Sequence, residues 1–133
     1  MPNENESSAL YDSLLAANSR FYESFGALDI ESMSMIWSND DSALCIHPGW
    51  EPIFTWERIK DSWEGIFRTS SLMMFQIDVI KSFTNNDTGT VVCKENISSV
   101  VDGRATNFSI LSVNTFWLEA GHWKLIYHHG SPV

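Results

Sequence analysis

The sequence predicts an α+β domain in which three N-terminal helices pack on a curved antiparallel sheet of four to six strands. Apolar residues recur at helical spacing up to about residue 67, and from Leu72 onward they alternate with polar residues. The alternating segments follow one another with short turns between them, which is typical of an antiparallel meander after a helical layer. A chain of 133 residues with 44 % hydrophobic and 19 % charged residues suits one domain with a packed core.

The first helix is predicted over residues 9–25, after a polar tail over residues 1–8 that we expect to be flexible. One apolar stripe runs along this helix, formed by Leu10, Leu14, Ala17, Phe21 and Phe25. Gly26 ends the helix, because glycine is favoured just past a helix C-terminus. The domain is therefore expected to span residues 9–133.

Two shorter helices follow, separated by a buried strand and a turn. Asp29 is the expected cap of the second helix, which the polar residues 39–41 terminate. Residues 43–50 combine a short apolar strand with a Pro-Gly turn, in which proline fixes φ and glycine supplies the free dihedral. Thr55 is the expected cap of the third helix, which ends near Phe67.

Four strands are predicted in the second half of the chain. They begin at residues 72, 90, 104 and 122, and the last one ends at residue 129. Asp102-Gly103 between the second and third strands is a strong signal for a two-residue hairpin. Such a series pairs each strand with the next.

The third of these strands is apolar on both faces. Phe108, Ile110, Phe116 and Leu118 lie on one face, and Leu111, Val113 and Trp117 lie on the other. The helices can cover one face of the sheet, and a second subunit is the simplest cover for the other. The sequence therefore predicts a homodimer through the outer face of the sheet.

Composition excludes several classes of partner and site. A net charge of −9 disfavours nucleic acid and anionic membrane surfaces as partners. The chain has no apolar run long enough to span a bilayer and no secretory leader, so we expect a cytoplasmic protein.

Cys45 and Cys93 lie in apolar runs, as buried free thiols do. His128 and His129 point to opposite sides of a strand, and no phosphate loop is present, so neither a metal nor a cofactor is expected.

Polar side chains on apolar strand faces are the candidates for chemistry. Glu95 shares its face with hydrophobic residues of the second strand, Asn114 does so on the third, and His129 on the fourth, together with Tyr127. These side chains can converge inside a cone closed by the helices. A buried carboxyl has a raised pKa, and such a group can exchange protons near neutral pH.

His47 is a further candidate, because the Pro-Gly turn that follows holds it in a stiff backbone. Each candidate also has a purely structural interpretation. Glu95 can reach solvent at a strand edge, Asn114 can satisfy backbone groups, and His129 or His47 can brace the end of a strand.

The aromatic content of 13 % fits a thick core as well as a ring-lined cavity. Trp37, Trp50 and Trp63 are the candidate cavity walls.

Several motifs occur together along nearly the whole chain after the tail. They are residues 25–29, Trp37 with Asp40-Asp41, 45–50, 56–57, 63–67, 114–116 and 123–132. The most specific are the H-P-G-W turn at residues 47–50 and the W-x4-H-H-x-S-P ending. In these motifs the chain resembles the NTF2-like superfamily, which includes ketosteroid isomerases, scytalone dehydratase and polyketide cyclases. Within it, the closest resemblance is to the SnoaL-like domain family.

This resemblance implies a deep pocket between sheet and helices, dimerisation through the sheet, and no obligatory metal. In the steroid isomerases an Asp before a Pro is the general base, and here His47 precedes Pro48. Their oxyanion-stabilising Tyr follows an Arg in the first helix, whereas here Phe21 follows Arg20. Tyr22, one position further, is expected to point about 100° away on the helix. Steroid isomerisation itself is therefore not expected.

Three functional hypotheses follow. The first is a cofactor-free acid/base enzyme of the isomerase, dehydratase or cyclase type that acts on an apolar, ring-containing metabolite. His47 is then the base, Glu95 or His129 its acid or orienting partner, and Asn114 a hydrogen-bond donor. The second is a carrier or sensor that binds a hydrophobic small molecule without chemistry. The third is a dimeric scaffold whose tryptophans are all core.

Overall fold

The computed structural model describes residues 4–133, with side chains from Ser8 onward. The helices are α1 (Glu4–Gly26), α2 (Ile30–Ile36) and α3 (Trp56–Thr69). The strands are β1 (Leu44–Ile46), β2 (Ile53–Phe54), β3 (Ser70–Asn85), β4 (Thr88–Val101), β5 (Arg104–Glu119) and β6 (His122–Pro132). The predicted α+β architecture, with three helices on a largely antiparallel six-stranded sheet, is confirmed.

The sheet has the strand order β2-β1-β6-β5-β4-β3. Strands β3 to β6 form the predicted antiparallel meander. The short strand β1 joins it by pairing in parallel with β6, and β2 pairs with β1 at the edge. The sequence did not predict β2, because two residues are too few to show a period.

The helices differ from the predicted ones at the start of α1 and at the cap of α3. Helix α1 begins at Glu4, five residues before the predicted start, and residues 1–3 of the predicted tail lie outside the described residues. Asp29 caps α2 as predicted, accepting hydrogen bonds from the backbone N–H groups of Glu31 and Ser32. Thr55 precedes α3, but its side chain makes no capping bond, because its φ of 68° lies outside the extended region in which N-cap residues sit.

A bulge in β6 decides which histidine faces the interior. Thr115 lies opposite Tyr127, and the next residue, Phe116, lies opposite Leu125, so Ile126 is an extra residue in β6. An extra residue shifts the alternation of side chains by one position. His128 is consequently buried on the inner face, and the predicted inward orientation of His129 is wrong.

The core lies between the inner face of the sheet and the helices. Trp63 is its central ring, with no exposed surface and edge-on contacts to Phe21 and Phe25. Within residues 4–133, no helix is both long and apolar enough to cross a membrane.

Candidate functional site

A buried carboxyl group is the centre of the candidate site. Glu95 projects from β4 to the inner face, where its Oε2 accepts hydrogen bonds from the Tyr22 hydroxyl at 2.5 Å and from the Ser112 hydroxyl at 2.6 Å. These donors come from α1 and β5, so the contact joins the helical layer to two strands of the sheet. All three residues are buried.

Asn114 extends this cluster across the sheet. Its Nδ2 donates to Asn18 Oδ1 at 2.9 Å and to the Tyr22 hydroxyl oxygen at 3.0 Å. Its Oδ1 lies 2.6 Å from Nδ1 of His128, which must therefore donate the proton of this bond. We refer to Asn18, Tyr22, Glu95, Ser112, Asn114 and His128 as the buried polar network.

Burial controls the protonation of the network. It raises the pKa of the Glu95 carboxyl, and the bonds from Ser112 and Tyr22 offset part of this rise. Burial also raises the pKa of the Tyr22 phenol well above its ordinary value of 10.0, and the nearby Glu95 charge raises it further. Glu95 therefore keeps its proton to a higher pH than an exposed glutamate, as a proton-exchanging group requires.

His47 lies outside the network, although its ring and that of the network residue His128 both contact Trp63. The Ser62 hydroxyl donates to the backbone oxygen of Ile59 at 2.6 Å, so it accepts its 2.9 Å hydrogen bond from His47 Nε2. The imidazole packs between the rings of Trp50 and Trp63, with 4.7 Å between ring centroids in each case. Burial lowers the pKa of His47 to about 4, so its ring is neutral at pH 7.

A groove between α1 and β3, which we name the α1–β3 groove, reaches the network from outside. Its volume is about 520 Å³. It is lined by Leu15, Asn18, Ser19, Tyr22, Glu23, Gly26, Phe75, Ile77 and Val79. Tyr22 and Asn18 thus belong to both the groove and the network. Ile77 lies directly opposite Glu95 in the β3–β4 pairing, so Glu95 is one strand behind the groove wall.

The structure brings together only part of the predicted site. Glu95 and Asn114 share the network, whereas His47 does not line the α1–β3 groove. Tyr127 and His129 are half-buried and hydrogen-bond to each other at 3.0 Å, away from the network residue His128.

The predicted tryptophan wall is not found around this groove. Trp37 and Trp63 are fully buried core residues whose indole N–H groups have no hydrogen-bond partner in the described part of the chain. Trp50 is 49 % exposed and covers His47.

Tyr22 is the main functional candidate that the sequence interpretation missed. The expectation that it points away from the pocket is wrong, because α1 buries a face broad enough to include both Phe21 and Tyr22. A signal was present in the sequence: Asn18 lies four residues before Tyr22, so the two polar groups fall on one side of the helix. Within the described residues, no three His, Cys, Asp or Glu side chains are grouped so that they could hold a metal ion.

Comparisons with known proteins agree with this fold. An NTF2-like family protein of Streptomyces avermitilis, for which a dehydratase activity is suggested, is 27 % identical with a TM-score of 0.89, covering 95 % of this chain and 97 % of that one. A Thiobacillus denitrificans protein described provisionally as a calcium/calmodulin-dependent protein kinase type II association domain is also 27 % identical. Its TM-score is 0.80, over 89 % of this chain and 93 % of that one.

A curated relative is the F-box protein SKIP8 of Arabidopsis thaliana, which is 25 % identical over 118 residues. The match covers 89 % of this chain and 48 % of that protein, so the chain spans about half the length of this relative. The model of the SnoaL-like domain family matches residues 14–133. This match covers every residue of the network and every described lining residue of the α1–β3 groove. The chain therefore belongs to the SnoaL-like domain family, within the NTF2-like superfamily.

Proposed function

We propose that the protein binds a small, apolar, ring-containing molecule in the α1–β3 groove and performs cofactor-free acid/base chemistry on it with Glu95 and Tyr22. The NTF2-like fold supports a ligand-binding or isomerase-like function. One observation carries the proposal: a protonatable carboxyl is buried directly behind the groove wall and is hydrogen-bonded by a phenol that is part of that wall. Burial of the Glu95 carboxyl costs free energy that its two hydrogen bonds offset only in part, as its raised pKa indicates, so its presence beside a groove suggests a function.

The groove is suited to a ligand of this class. Its volume is in the range of small-molecule sites. Leu15, Phe75, Ile77 and Val79 supply apolar surface, and the side chains of Asn18 and Ser19 supply polar atoms that can orient a ligand.

The proposed reaction is a proton transfer next to a carbonyl group. Ionised Glu95 takes a proton from the carbon beside the carbonyl, and the Tyr22 hydroxyl turns to donate a hydrogen bond to the oxygen of the enolate that forms. For a ligand with a carbon–carbon double bond β,γ to the carbonyl, the enolate is a dienolate. Glu95 then returns the same proton to its γ-carbon, so that the double bond moves into conjugation with the carbonyl and no cofactor is consumed. We assign the base to Glu95 rather than His47, because Glu95 is hydrogen-bonded to Tyr22, which lines the groove, whereas the hydrogen-bond partners of His47, Ser62 and Cys45, do not line it.

Hydrogen–deuterium exchange of 2-tetralone in D2O tests this chemistry without knowledge of the natural substrate. The wild-type protein is expected to accelerate exchange of the protons next to the carbonyl, as followed by proton NMR. Glu95→Gln keeps acceptor and shape but cannot exchange a proton, so we expect at least a ~100-fold loss of the catalysed rate. Tyr22→Phe removes the hydrogen-bond donor to the enolate oxygen and is expected to reduce the rate about 100-fold. His129→Gln is the matched control and should retain the wild-type rate. Equal rates for wild type and Glu95→Gln would contradict the proposal.

A second candidate function is non-catalytic binding. The observation that favours it is that Oε2 of Glu95 is already occupied by two donors from the chain itself. A carrier is expected to bind the neutral dye prodan (6-propionyl-2-dimethylaminonaphthalene) with equal affinity in the wild type and in Glu95→Gln, while neither protein accelerates exchange of 2-tetralone.

We also propose that two copies pair through the outer face of the sheet, which is also the arrangement of the scaffold hypothesis. Leu111 is 40 % exposed there, and Val113 and Trp117 on the same face of β5 are half-buried. A second copy removes this apolar surface from water. Sedimentation velocity is expected to show a dimer for the wild type and a monomer for Leu111→Lys, with Ala16→Lys, at an exposed position of α1 in the helical layer, as a dimeric control. A wild-type monomer would disprove the proposal.

A further inference from the structure

A second groove lies on the other side of α1, between α1, α2 and the start of β6, and we name it the α1–α2–β6 groove. Its volume is about 470 Å³. It is lined by Ala17, Arg20, Glu23, Ser24, Ala27, Ser32, Met35, Ile36, His122, Trp123 and Lys124. The indole N–H of Trp123 donates to the Ser13 hydroxyl at 2.8 Å, which fixes this ring.

The charge of this groove differs from that of the whole protein. The chain has 17 acidic and 8 basic residues, yet Arg20 and Lys124 line the groove against one acid, Glu23, with His122 as a further nitrogen donor. In the described part of the chain, Arg20 makes no ion pair and no side-chain hydrogen bond. Its guanidinium is therefore available to an external anion.

The two basic residues differ in mobility. The ammonium group of Lys124 donates to the backbone oxygen of Met35, which holds it at the end of α2. Lys124 is therefore a positioned point charge, whereas the guanidinium of Arg20 offers a planar fork of donors that matches a carboxylate or sulfonate.

Apolar surface lies in the same groove as these charges. The Met35 side chain is 73 % exposed, and Ile36, Ala17 and Ala27 also contribute to the lining. An exposed methionine is a flexible contact for apolar ligands. The α1–β3 groove, by contrast, has no Lys, Arg or His among its described lining residues.

We infer that the α1–α2–β6 groove is a second ligand site, which binds an organic anion with an apolar body. Arg20 and Lys124 hold the acidic group, and Met35 with its apolar neighbours covers the ring or hydrocarbon chain. The inference does not depend on chemistry at Glu95, because it rests on different residues on the opposite side of α1.

Two dyes with the same ring system distinguish recognition of the anionic group from nonspecific binding to apolar surface. The sulfonated dye is 8-anilinonaphthalene-1-sulfonate, and the neutral one is N-phenyl-1-naphthylamine. The wild type is expected to bind the sulfonated dye more tightly and to lose affinity for it with increasing salt, because charge attraction is screened. In Arg20→Gln/Lys124→Gln, the dissociation constant for the sulfonated dye is expected to rise at least about 10-fold, and that for the neutral dye less than about 2-fold.

Two further variants locate the effect. Arg58→Gln removes an exposed positive charge from α3, and Val79→Glu adds a negative charge to the α1–β3 groove. Both are expected to bind the sulfonated dye with the wild-type dissociation constant. The inference is overturned if the wild type does not bind this dye, if the double variant binds it normally, or if both dyes weaken equally. A loss of binding in Val79→Glu would place the dye in the other groove and overturn it as well.

Discussion

The free energy of unfolding is expected to fall steeply as the pH drops below 6.5, so that the protein unfolds in mild acid. The cause is two buried histidines. Burial lowers the pKa of His47 to about 4, and burial together with the neighbouring His47 and His129 lowers the pKa of His128 to about 3. In the unfolded chain both histidines begin to bind protons near pH 6.5, whereas in the folded protein both rings are still neutral at that pH.

The sign of this effect follows from proton binding. Between pH 6.5 and 4 the unfolded state binds a proton at each of these histidines and the folded state does not, so acidification favours unfolding. Each such group contributes about 1.4 kcal/mol per pH unit. The full shifts correspond to about 3 kcal/mol for His47 and about 5 kcal/mol for His128. Their sum is comparable with the whole stability of an ordinary domain, which is about 5–15 kcal/mol.

Glu95 acts in the opposite direction. Its pKa in the folded protein is raised above the ordinary value of 4.5, so the folded state holds this proton more tightly and its contribution to stability is lost as the pH rises. From pH 4.5 up to the raised pKa of Glu95, this contribution opposes one of the two histidine contributions, and below pH 4.5 it no longer does so.

Urea unfolding at a series of pH values between about 7.5 and 4 measures this dependence. In His47→Gln the slope below pH 6.5 is expected to be smaller by about 1.4 kcal/mol per pH unit, whatever the substitution costs at neutral pH. His122→Gln, which removes an exposed histidine, is the matched control substitution. A free energy of unfolding that stays constant over this range would contradict the assignment of neutral buried histidines.

The sequence pattern was sufficient for the parts of the site that lie on regular strands. Alternation in β4 and β5 places Glu95 and Asn114 on the buried face, and the structure has them there. The same reasoning failed in β6. It assumes that side chains alternate between the two faces without interruption, but the bulge at Ile126 interrupts this alternation. The sequence interpretation therefore selected His129 in place of His128.

The helical part of the site was harder to predict for a different reason. An apolar stripe identifies the centre of the buried face of a helix but not its width. Tyr22 lies at the side of the stripe in α1, and it is buried because β3 and β4 supply partners for both its ring and its hydroxyl, namely Phe75 and Glu95. The resemblance implies a pocket between sheet and helices, but the residue pattern alone could not place either groove. A groove depends on how closely α1 approaches its neighbours, and that distance has no local sequence signal.

Trp63→Ala is expected to lower the free energy of unfolding by about 3–5 kcal/mol, as removal of a large buried ring does. Trp63 has no exposed surface and contacts rings from α1, from β6 and from the turn after β1. Its loss leaves a cavity bordered by Phe21, Phe25 and His47, and those side chains cannot all move to fill it.

Trp50 is the matched control, since it carries the same side chain and contacts the same His47 ring but is half exposed. We expect Trp50→Ala to lower the free energy of unfolding by about 1 kcal/mol or less, because the Trp50 side chain fills little of the core. Urea unfolding of the two variants at neutral pH distinguishes the core assignment of Trp63 from the ligand-wall hypothesis. If Trp63 instead lined an open pocket, its removal would cost no more than that of Trp50 and would mainly weaken ligand binding. Comparable free energies of unfolding for the two variants would therefore contradict the packed core around Trp63. They would support the hypothesis that Trp63 lines a ligand pocket.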